Sequence, residues 1–140
     1  MLVLILAATS ANAAEGAQLD ANKYPQETPK KTLNSILKAL DKRDFEYWIQ
    51  YLIVPADSKR IIAKHGSLAS AVLMNADDKH TARIQQQMEV IREMLKADSS
   101  TEGTDNGVKW TRFKDGDKIL QLDQQPDGRW CMNTRITTDK

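Results

Sequence analysis

The chain has 140 residues, a formal net charge of +1 and a single cysteine, with acidic and basic residues interspersed along its length. That length suits one domain with one core. A nucleic-acid binder would gather Lys and Arg on one face or arm, so no nucleic-acid partner is expected, and a lone cysteine excludes an intramolecular disulfide in any compartment.

Met1 to Ala14 is an apolar run closing in small residues, and Ala11-Asn12-Ala13 fits the small-x-small pattern cut by signal peptidase. The run falls short of the roughly 20 apolar residues that span a bilayer. Residues 1–13 are therefore expected to be a signal peptide, and the protein to be exported, periplasmic or secreted, without a stable membrane span. No Lys or Arg precedes the run, whereas signal peptides open on a basic stretch; a start upstream of Met1 would supply it. Residues 14–27 lack a period and carry turn formers, the pattern of a flexible leader. A single domain over residues 28–138 follows.

Thr28-Pro29 reads as an N-cap with proline at the first helical position, where its missing N–H costs nothing. Leu33, Ile36, Leu37 and Leu40 then recur on one helical face. Asp44 can cap a second, short helix burying Phe45, Trp48, Ile49 and Leu52, and Pro55 ends it by pushing its predecessor out of helical conformation. Asp57 to His65 suggests two further turns closed by Gly66, and Ser67 caps Leu68 to Met74. The longest predicted helix runs from Asp77 to Ala97, with Ile84, Met88, Ile91 and Leu95 on its apolar stripe, Val90 and Met94 widening it, and Gln85, Gln86, Glu89 and Arg92 on the wet side.

Asp98 to Gly107 is polar and glycine-containing, which predicts a loop, and after it the period changes. Val108, Trp110 and Arg112 alternate with Lys109, Thr111 and Phe113. Asp115-Gly116 supplies a hairpin turn, Ile119 to Leu122 the return strand, Asp127-Gly128 a second turn, and Arg129 to Ile136 a third strand. N-terminal helices packed on a C-terminal antiparallel β-meander make the class α+β.

Three pieces of sequence carry a resemblance: Thr28-Pro29 opening a helix, the corner Ala39-Leu40-Asp41-Lys42-Arg43-Asp44-Phe45, and the terminal Pro126-Asp127-Gly128-Arg129-Trp130. Together they resemble small exported bacterial members of the nuclear transport factor two-like (cystatin-like) superfamily, over most of residues 28 to 136. The resemblance implies a cone-like curved sheet wrapped on helices around a pocket. Three strands are fewer than such a cone has, and Ile49 to Val54 is the segment that could add another. The superfamily hosts isomerases, dehydratases and cyclase-like enzymes beside non-catalytic domains, so the fold alone does not choose.

The candidate site residues must choose. Tyr47 and Tyr51, four apart on the second helix, and Trp110 and Arg112, on one strand face, are the candidates for a ligand pocket. Asp44, Tyr47, Tyr51 and His65 are the candidates for acid–base chemistry, which needs a titratable group held in a dry pocket. No carboxylate stands inside an apolar stripe, where such a base is expected. Asp77, Asp78 and His80 share a helical face but lack the three or four ligands of a zinc site, so no metal and no cofactor is expected. His65 and His80 suit helix ends. Cys131 stands in an apolar-alternating segment with no histidine nearby, as a small core residue does. The expectation is an exported, non-catalytic domain that binds a small apolar ligand or a protein partner; the alternative is a cone-type acid–base enzyme. A homodimer formed through the sheet is compatible with either.

Overall fold

The computed structural model describes residues 23–135. The expected signal peptide, residues 1–13, and most of the expected leader lie outside the described residues. Among the described residues five helices precede a four-stranded antiparallel sheet: α1 Pro29–Asp41, α2 Phe45–Tyr47 continued by a π-helical turn Trp48–Leu52, α3 Pro55–His65, α4 Leu68–Ala76, and α5 Thr81–Ala97 entered through a 3-10 turn Asp78–His80. The strands are β1 Ser100–Asp105, β2 Val108–Asp115, β3 Lys118–Gln124 and β4 Trp130–Asn133, in the order β1-β2-β3-β4. The class is α+β, and the sheet is open.

Local chemistry sets the helix ends. The Thr28 side chain accepts from the Lys31 N–H, Asp44 from Tyr47 and Ser67 from Ser70, each satisfying a donor that the first helical turn leaves free. Arg43 takes a left-handed φ of 57°, which turns the chain so that Asp44 can begin α2. Pro55 both ends the second helical stretch and opens the third, because at the first position of α3 its missing N–H is harmless. That start lies two residues ahead of the expected Asp57.

The polar loop expected between Asp98 and Gly107 is instead strand β1. Its residues pair with β2 from Ser100↔Phe113 to Asp105↔Val108. The two-residue turn is Asn106-Gly107, with φ of 51° and 81°, the double positive φ of a type I′ turn. β1 shows no apolar alternation because, as an edge strand, it is exposed on both faces. Ile49 to Val54, considered as a further strand, is π-helical through Leu52 and then makes a single parallel bridge, Ile53↔Met132, with the Val54 N–H donating to the Met132 carbonyl at 2.9 Å.

The core lies between the helices and the inner sheet face. Leu33, Ile36, Phe45, Ile49, Leu52, Met88, Ile91 and Met94 meet Phe113, Leu120 and Leu122 there. Met94, expected at the margin of the apolar stripe, is buried, while Leu95, expected at its centre, is half-buried. Residues 23–27, assigned by the sequence to the leader, belong to this packed structure. Tyr24 is 1 % exposed, and the Gln26 side-chain amide donates to the carbonyls of Tyr51 and Trp130 at 2.8 and 2.9 Å. Trp130 itself is half-buried against the core.

Candidate functional site

A cleft of about 480 Å³ opens where the helix layer meets the start of β3 and the end of β4. Its floor is apolar and buried: Ile36 and Leu40 from α1, Trp48 from the π turn, Ile91 from α5, and Ile119 and Leu120 from β3. Ile61, Val90 and Met132 form half-buried walls. Arg83, Gln86, Gln87 and Lys118 are exposed and stand at the mouth, with Asn133 and Thr134 completing the rim. The π turn widens the helix by one residue and so brings Trp48, Ile49 and Leu52 all inward. The Trp48 indole N–H is buried and has no acceptor, an uncommon state for a buried donor.

The four residues proposed from sequence for a pocket are not among those lining this cleft. Tyr47 and Tyr51 do come together, with ring centroids 4.9 Å apart, and Tyr24 extends the row at 4.6 Å from Tyr47. Trp110 lies across Gly103 of β1, so closely that a Cβ at position 103 would meet the indole at 2.2 Å. Glycine is required there by the approach of the ring. The Arg112 guanidinium sits 4.4 Å from the Trp110 ring and donates through Nε to Gln121 Oε1 at 2.6 Å. Gln121 in turn donates to Asp123 at 2.7 Å, and Asn133 to the other Asp123 oxygen at 3.1 Å. Trp110 and Arg112 are thus part of a cross-strand polar ladder that ends at Asn133, on the rim of the cleft.

The acid–base candidates are held by structural partners. Asp44 accepts from Lys23 Nζ at 2.9 Å, from the Tyr24 hydroxyl at 3.0 Å and from the Tyr47 N–H at 3.3 Å. Burial would raise its carboxyl, but these hydrogen bonds outweigh it and hold Asp44 below the ordinary value of 3.8. Asp44→Asn should therefore lower stability at neutral pH. A group depressed in the folded state contributes fully above its unfolded value and loses that contribution as pH falls through the folded one. The difference between variant and wild type should then disappear below the ordinary aspartate range, which melts taken across acidic pH would show. His65 ends α3 and His80 ends the 3-10 turn; neither lines the cleft. The buried Cys131 thiol sits 3.4 Å from the Tyr51 carbonyl, and burial pushes it up to about 11, so it is not a nucleophile at neutral pH.

Outside any apolar stripe, one carboxylate is nevertheless buried, that of Asp57. In the first turn of α3 it is 1 % exposed, and its Oδ2 accepts from both the Thr134 N–H and the Thr134 hydroxyl at 2.8 Å. Its Oδ1 faces Arg135 at 3.1 Å and Arg60 at 3.5 Å as ion pairs without an aligned hydrogen bond. The sequence signal was the acidic residue two places after Pro55, favoured at a helix N-terminus; its burial depends on a partner 77 residues away. Among the described residues no three His, Cys, Asp or Glu side chains converge to hold a metal, and no helix is long and apolar enough to cross a membrane.

Comparison with protein-family models, with curated proteins and with solved structures gives no match for this chain.

Proposed function

We propose that this chain is an exported, non-catalytic domain that binds a small apolar ligand in the cleft floored by Trp48. One observation carries the reading: the cleft floor is apolar side chain throughout, from Ile36 and Leu40 to Leu120, and its volume lies within the range of about 300–1,000 Å³ usual for small-molecule sites. No Asp, Glu, His or Tyr stands among the lining residues, which leaves the acid–base alternative without a carboxylate, imidazole or phenol base beside the bound molecule. A protein partner or a second copy pairing through the sheet would use the outer edge of β1. That strand reads Ser-Thr-Glu-Gly-Thr-Asp, and charge and glycine on an edge discourage such pairing. Export rests on the apolar run and the Ala11-Asn12-Ala13 pattern. The nuclear transport factor two-like relationship rests on the Ala39-to-Phe45 corner and the Asp127-Gly128 turn before Trp130.

A neutral solvatochromic dye, Nile red, tests the cleft. The wild type should bind it saturably with a blue shift. Val90→Trp and Ile61→Trp, which fill the cleft from α5 and from α3, should melt cooperatively and lose that binding. Undiminished dye binding by both variants would overturn the proposal.

A further inference from the structure

We infer that the cleft's ligand is a single-chain alkyl carboxylate whose head group is met by Arg83 and Lys118; this rests on the reading of the cleft as a ligand site. The walls change character with depth. The floor residues Ile36, Leu40 and Leu120 are buried and apolar, whereas Arg83 and Lys118 are exposed at the mouth. A molecule fitting that gradient has an apolar body and a polar end directed at solvent.

The sign of that end follows from the charges. The lining holds two cations and no carboxylate. Among the described residues no ion pair or side-chain hydrogen bond holds Arg83 or Lys118; Lys38, Lys42, Lys59, Lys64, Lys79 and Lys109 are likewise unpaired, but of these cations Arg83 and Lys118 alone stand on the cleft's lining. Two unpaired cations over an apolar floor favour an anion and repel a cationic amphiphile. Because one is an arginine, its planar fork matches a carboxylate. Beyond these two cations the lining adds only neutral donors, among them the exposed amides of Gln86 and Gln87, which suits a head group of low charge, and the volume suits one chain.

The test uses the protein purified from the compartment in which it accumulates, with bound Nile red as the displaced probe. Laurate, dodecanol and dodecyltrimethylammonium compete in turn, at low and high salt. Laurate should displace the dye at about tenfold lower concentration than the other two, the equivalent of two exposed ion pairs, and high salt should erode that advantage. In Arg83→Glu/Lys118→Glu, with every competitor read against that variant's own Nile red affinity, laurate should lose its advantage over dodecanol and dodecyltrimethylammonium should overtake it. Equal competition by laurate and dodecanol in the wild type, or unchanged laurate binding in the double variant, would overturn the inference and leave the apolar site standing. Lysophosphatidic acid outcompeting laurate by more than about tenfold would also overturn it, by making the head group a phosphate. Failure of Nile red to bind the wild type would remove the underlying reading as well; that is the result expected if a second copy, or the apolar run of residues 1–8, fills the cleft.

Discussion

Asp57→Ala should lower the melting temperature by roughly 10–20 °C, the shift that a loss of about 2–4 kcal/mol produces in a domain of this size. The carboxylate is buried, and through one oxygen it holds both the backbone N–H and the hydroxyl of Thr134. Removing it leaves those donors without their acceptor and opens a void at the start of α3. Arg60 and Arg135 are more than half exposed and return to water at little cost, which is why the loss stays below that of a fully buried ion pair. Asp57→Asn, which keeps the shape and one acceptor, should fall between. Thr134 also lines the cleft, so Asp57→Ala should weaken Nile red binding even well below its melting temperature. A melt within about 2 °C of wild type, less than the shift of one ordinary hydrogen bond, would show that the end of β4 is held by something else.

Phe45→Ala should cost about 3–5 kcal/mol, the usual loss on truncating a buried aromatic and a large share of the roughly 5–15 kcal/mol that holds a domain together. Phe45 is 1 % exposed and opens α2, whose three residues and π turn are too short to be stable alone. The segment is kept in place by packing: Phe45, Ile49 and Leu52 all enter the core. Displacing it moves Trp48 from the cleft floor. Urea unfolding should show a lower midpoint with an unchanged slope, and Phe45→Leu, retaining most of the apolar area, should lose less. An unchanged midpoint in Phe45→Ala would mean that the corner after α1 is not part of the cooperative core.

Much of the fold was legible because its signals are local. The caps at Thr28, Asp44 and Ser67 each act within four residues and formed as expected; the hairpin turn expected at Asp115-Gly116 lies one residue on, at Gly116-Asp117, with Asp115 paired to Lys118 and Gly116 at a φ of 65°. β1 was missed for a physical reason: a strand exposed on both faces carries no alternation, and its one cue was Asn106-Gly107, the strongest short hairpin signal. The burial of Asp57 was illegible because its partner lies at the other end of the domain. The cleft was illegible for a related reason. Ile36, Leu40, Trp48 and Ile91 each belong to an ordinary helical core stripe, and periodicity says which side of a helix turns inward, not whether the facing layer fills the space. Tyr47 and Tyr51 showed the converse: their spacing correctly brought them together, on a surface away from the cleft.

The most direct test of the cleft as a ligand site is a native mass spectrum of the protein purified from its own host. The account predicts that the wild type carries a noncovalent mass of one small organic molecule, released on gentle activation and absent from Val90→Trp prepared in the same way. Wild type and Val90→Trp both flying at the bare polypeptide mass, with Nile red unable to bind either, would contradict it.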